Sequence, residues 1–205
     1  MIDLISINIK GATVLDLGCG TGYLAKVLSE RVGPEGKVVA VDPDEERLKI
    51  AREKYSASNI KYIQADDKTF PPRQYDIIFC NTVINWIHDK EALYKRVHTN
   101  LRPGGQFAFS TPDGSLPVPE IGKKLFDTLL GPNFLIWMLQ EKQVYLSAND
   151  YEVLASRTGL ELSILRRRNF DKAWKSLDDY IDAMHGWFQG EFDPSKFDKD
   201  TLEKF

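Results

Sequence analysis

The chain of 205 residues is poor in the residues that build covalent or metal frameworks, with two cysteines, three histidines and three methionines. Cys19 and Cys80 lie in apolar stretches without zinc-ligand spacing. They read as reduced, buried thiols, so neither a disulfide scaffold nor a metal centre is expected. An excess of one charge is also missing. Against 27 Lys and Arg stand 30 Asp and Glu, a net charge of −3, which leaves no global field to hold nucleic acid or an anionic membrane surface. The basic cluster Arg166-Arg167-Arg168 stands alone and reads as a solvated strand end. No apolar run approaches the length of a membrane span, and "MIDLISINIKG" carries neither a cationic leader nor a cleavage signature. Internal repeats and low-complexity tracts are absent. The expectation is a single cytoplasmic domain over residues 1–205, with no nucleic-acid or membrane partner. Its apolar and charged fractions, 42% and 28%, are ordinary for such a protein.

What the sequence does have is an alternation of strand and helix signals. "TVLDLG" (Thr13–Gly18), "KVVAVD" (Lys37–Asp42), "IKYIQAD" (Ile60–Asp66), "YDIIFCN" (Tyr75–Asn81) and "QFAFSTP" (Gln106–Pro112) predict strands. Leu24, Val27 and Leu28 share one face of a helix over Tyr23–Val32, stopped by Gly33-Pro34. Asp44 caps a second helix, with Glu45 and Glu46 in its first turn where the dipole favours negative charge. A third helix carries Leu93, Val97 and Leu101 and runs into a turn at Pro103-Gly104-Gly105. Apolar strands separated by helices imply a doubly wound, mostly parallel α/β sheet, covered on both faces. Ligands of such sheets sit beyond the carboxyl ends of the strands.

After Pro112 the pattern changes. Helical signals over Pro117–Gln140, with Phe126, Phe134, Ile136, Trp137 and Met138, read as inserted helices (a lid spanning 113–158). Ser147 caps a helix over Ala148–Thr158. "LELSILRRRNF" (Leu160–Phe170) predicts a sixth strand, and helical signals follow over 173–205.

The stretch "VLDLGCGTGYLAKVL" holds the chemistry. A dinucleotide turn needs G-x-G-x-x-G. Here the glycines are Gly18, Gly20 and Gly22, and Tyr23 stands where a third dinucleotide glycine would be. Asp16 precedes the turn by two residues. A carboxylate there would repel a pyrophosphate but attract an ammonium group. Asp42, ending the second strand, is placed to accept two hydrogen bonds from a ribose diol. A ribose beside a cationic amino-acid portion, without phosphate, describes S-adenosylmethionine.

This segment resembles the first motif of the class I S-adenosylmethionine-dependent methyltransferases, and the likeness continues through Pro112. It implies a Rossmann-like sheet, S-adenosyl-L-methionine as cofactor and S-adenosyl-L-homocysteine as product. Asp16 would face the methionine end, with Gly18, Cys19, Gly20 and Gly22 forming the turn, and Gly18 and Gly20 letting the backbone come close. Asp42 and Pro43 would lie at the ribose, Asp66 on the adenine amino group, Asp67 beside the base and Asn81 at the methionine end. Cys19 is assigned no chemistry of its own.

"NTVINWIHDKEALYKRVHTNLRPGG" most resembles the small-molecule group that includes trans-aconitate, juvenile hormone acid and malonyl-carrier-protein methyltransferases. On the acceptor side this places Asn85, Trp86 and His88. Asn85 cannot act as a base near neutral pH, and His88 carries a side chain of the type that can but also reads as a surface residue. "NTVI" replaces the N/D-P-P-Y/F tetrad of amide- and nucleobase-methylating branches. An O- or C-methylation of a small molecule is expected, with a carboxylate-type acceptor, free or carrier-bound, favoured, because a carboxylate needs alignment rather than a base. The alternative is a non-catalytic or truncated cofactor-binding module. The family's seventh strand is not recognisable, so a fragment, or a dimer formed through an exposed sheet edge, is expected.

Overall fold

A computed structural model describes residues 8–112 and 144–167. Five strands form one parallel sheet: β1 Thr13–Leu17, β2 Lys37–Asp42, β3 Ile60–Gln64, β4 Tyr75–Asn81 and β5 Leu101–Ser110, in the order β3-β2-β1-β4-β5. The chain winds outward from β1 to β3, then crosses to β4 and β5. The strand order therefore reverses between β1 and β4, and the site is expected at their carboxyl ends.

Helices α1 (Tyr23–Val32), α2 (Glu45–Lys54), α3 (Lys90–Asn100) and α4 (Ala148–Arg157) cover the sheet. Their ends follow local chemistry. Asp44 accepts from the amides of Glu46 and Arg47, and Asp89 from that of Ala92. Ser147 and Asp150 close a capping box at α4. Strand residues alternate between two buried clusters. Val14, Val38, Ala40, Ile77 and Phe79 join Ala25, Leu28 and Leu48 from α1 and α2. Leu15, Leu17, Val39, Val41 and Ile78 join Leu93, Tyr94 and Val97 of α3 and Tyr151 and Leu154 of α4. Each large apolar side chain buried this way contributes about 1.5–3 kcal/mol.

Three boundaries differ from the sequence reading. The Pro103-Gly104-Gly105 turn lies within β5, as a bulge. Tyr75 pairs with Leu101 and Ile77 with Gln106, so Asp76 alone faces the residues between. Asp76 holds that bulge by pairing with the Arg102 guanidinium at 2.6 Å and accepting from the Thr13 amide at 2.7 Å. β3 ends at Gln64 rather than Asp66, because the Asp66 carboxylate turns the chain, as described below. The expected sixth strand is not formed over its described part, Leu160–Arg167. Alternating apolar residues define a face but supply no neighbouring edge, and Ile164 and Leu165 are exposed. The lid helices and residues 168–205 lie outside the described residues, as do most of the boundaries expected beyond 112.

Candidate functional site

The site is built on the strand alternation. Asp16 is the last residue but one of the middle strand, in register with Ala40 of β2 and Phe79 of β4. Val14, Asp16, Val38, Ala40 and Asp42 thus share one face of the sheet. Asp16 is 1% exposed, and neither carboxylate oxygen has a hydrogen-bond partner. Burial, and then the nearby Asp42 charge, raise its pKa to about 7. A buried carboxylate without a donor is costly on its own and favourable beside a cation.

Asp42 is also buried, but its oxygens are engaged: Oδ2 accepts from the Gly20 amide at 2.8 Å and Oδ1 from the Asp44 amide at 3.0 Å. It therefore shapes the glycine turn while each oxygen keeps a second lone pair. The three glycines do different work. A Cβ on Gly18 would lie 2.6 Å from Val83 Cγ1, and one on Gly22 2.8 Å from both Ala51 Cβ and the Tyr62 hydroxyl. Gly18 thus makes room for Val83 of this chain. Gly20, at φ +54°, has nothing within 4 Å of its missing side chain. It is the turn position with open space in front of it. Cys19 is buried between them, its thiol pushed far above the ordinary range by desolvation and by Asp16.

At the end of β4, Asn81 Oδ1 accepts from the Ser110 hydroxyl at 2.7 Å, linking β4 to β5. Thr82 follows at φ +56°, a strained value for a residue with a side chain, and directs the chain so that Val83 covers Gly18. A short 3₁₀ turn, Ile84–Trp86, comes next. Asn85 is buried, its carbonyl accepting from the Val144 amide at 2.7 Å and its side chain hydrogen-bonded to Tyr145. Trp86 is half-buried and His88 is exposed.

The Asp66 carboxylate caps a turn: Oδ1 accepts from the Lys68 and Thr69 amides and the Thr69 hydroxyl, which holds its pKa down. Asp67 is half-buried and its pKa is raised by desolvation and by Asp66. The buried Cys80 thiol feels both Asp16 and Asp67, so these acids share one end of the sheet. Pro43 accepts from the Gln64 side chain through its carbonyl.

Sequence reasoning missed three participants. Val83 and Tyr145 gave no local signal. Lys90 did: a lysine in the first turn of a helix opposes the dipole, and here it is buried.

These residues fit S-adenosylmethionine: the unpartnered Asp16 carboxylate asks for a cation, and the open Gly20 position admits a ligand beside it. The methyltransferase domain family matches residues 2–164, and the chain belongs to it. It is a class I S-adenosylmethionine-dependent methyltransferase of the small-molecule type, and S-adenosylmethionine is its cofactor. The ubiquinone/menaquinone biosynthesis C-methyltransferase UbiE of Shewanella oneidensis is 30% identical over 188 residues, 85% of this chain and 73% of that protein. The trans-aconitate 2-methyltransferase of Azoarcus sp. is 39% identical over 102 residues, 49% of this chain and 39% of that one. Among solved structures, the arsenic (III) S-adenosylmethionine methyltransferase of Chlamydomonas reinhardtii superposes with a TM-score of 0.59 at 27% identity, over 76% of this chain and 54% of that chain. An S-adenosylmethionine dependent methyltransferase from Mesorhizobium loti, 21% identical, shares the fold with a TM-score of 0.58, over 75% of this chain and 76% of that chain.

Proposed function

We propose that this enzyme methylates a small molecule whose accepting atom is already nucleophilic, a carboxylate before others. S-adenosylmethionine, when bound, supplies an electrophilic methyl group on a positively charged sulfur that is a good leaving group. The chain's own residues bind and orient. Asp16 takes the ammonium of the methionine portion, and Asp42 adds the ribose diol to its two backbone bonds. Asp66, through Oδ2, and Asp67 lie at the adenine, with Pro43 beside the ribose and Asn81 at the methionine end. The observation that carries this reading is Asp16, buried and without a donor.

On the acceptor side stand Asn85 and Trp86. Neither takes a proton near neutral pH, and His88 is exposed. The Cys19 and Cys80 thiols are held protonated by burial. Such a site aligns an acceptor rather than activating one, which suits a carboxylate. Two of the relatives are named for trans-aconitate and for a malonyl-carrier protein, and UbiE is named a C-methyltransferase. The test is a transfer screen with labelled S-adenosylmethionine across free carboxylates, carrier-protein thioesters, phenols and hydroquinones. Carboxylates in free or carrier-bound form should be methylated. Turnover confined to phenols or hydroquinones would overturn the assignment.

A further inference from the structure

We infer that Lys90 is a positioning residue: its ammonium holds the end of the Ile84–Trp86 turn and sets where Asn85 and Trp86 stand. Lys90 is 4% exposed, and its Nζ donates to the Ile87 carbonyl at 2.6 Å, just beyond that turn. Three features make it an expensive residue to keep. It occupies the first position of α3, where the helix dipole repels a cation. Among the described residues no carboxylate pairs with it. Its surroundings are apolar, with Cys80, Ile84, Ile87 and Leu93 all buried in one cluster, and a lysine in such a place is rarely tolerated without a partner. Desolvation lowers its pKa to about 8. A charge-assisted bond to a backbone carbonyl gives this placement a purpose, since that carbonyl ends the acceptor-side turn. The same turn is also tied, through Asn85, to the Val144 amide and to Tyr145.

The inference rests on reading Ile84–Trp86 as the acceptor-side turn, and its test needs no acceptor. The indole N–H resonance of Trp86, assigned with Trp86→Phe, is followed by NMR from about pH 6.5 to about pH 9.5. A His88→Gln, Asp16→Asn background removes the neighbouring imidazole and the buried carboxylate that would itself titrate at about 7. The resonance should move through a one-proton transition centred at about 8. It should become pH-silent in Lys90→Met, and in Lys90→Arg it should stay at its low-pH position throughout, because a guanidinium keeps its charge. A Trp86 resonance that does not titrate, or a transition that survives Lys90→Arg, overturns the proposal. Failure of the wild-type protein to bind S-adenosylhomocysteine would instead count against the reading of the site.

Discussion

Replacing Asp16 by asparagine should stabilise the free protein and weaken its cofactor binding in the same stroke. The carboxylate is fully buried without a donor, and its pKa rises from 3.8 to about 7. Between those values the folded state binds a proton that the unfolded chain has released, so stability falls as pH rises from about 4 towards 7. Above pH 7 the accumulated cost is about 4 kcal/mol, from a shift of about three units at 1.36 kcal/mol each. Asparagine stays neutral and removes that cost, at the expense of a buried amide short of partners, about 1–3 kcal/mol. Urea denaturation of both proteins between about pH 5 and pH 8 isolates the residue by difference. Near pH 8 the variant should be the more stable by roughly 1–3 kcal/mol, and near pH 5 the advantage should vanish or reverse. Calorimetric binding of S-adenosylhomocysteine near pH 8 should weaken about ten- to a hundredfold, the worth of one charged hydrogen bond. In the wild type, affinity should fall as pH drops below about 7. A variant that is less stable near pH 8, or that binds the ligand as tightly, would refute the reasoning.

Gly18→Ala should destabilise the protein by about 2–4 kcal/mol, since its Cβ meets Val83 at a positive φ, and adding Val83→Ala should restore part of the loss in chemical denaturation. Asp42→Ala removes the acceptor of the Gly20 and Asp44 amides as well as the proposed ribose contact. Its S-adenosylhomocysteine affinity, read by calorimetry, should drop by at least about tenfold. Asp76→Ala should cost about 1–3 kcal/mol in thermal or urea unfolding by leaving the Thr13 amide unpaired, whereas Arg102→Met, at the half-exposed end of the same pair, should cost under about 1 kcal/mol. His88→Gln should leave S-adenosylhomocysteine affinity within about twofold, since the imidazole is exposed; a larger loss would place it in the cofactor site.

The sequence by itself determined the strand-and-helix order of the first half, with the ends of β2, β4 and α1 where periodicity and turn residues place them and the start of α2 at its Asp44 cap. It also determined the class of ligand, because glycine spacing and the position of an acid two residues earlier are local features. The tertiary structure decided what those residues are for. Gly18 is a glycine because Val83, distant in the chain, lies against it. Asp16 and Asp42 repel each other because strand register puts them on one face of neighbouring strands, and burial, then that repulsion, raises Asp16 to about 7. The Pro103-Gly104-Gly105 turn became a bulge because Asp76 on the neighbouring strand secures both Arg102 and Thr13. Tyr145 acquired its partner Asn85 through packing, and packing buried Lys90 although the carbonyl it bonds is only three residues away. Hydrophobic period and cap chemistry act over a few residues and can be read along the chain. Desolvation, register and close approach depend on which segments meet, and that is settled only when the sheet is assembled.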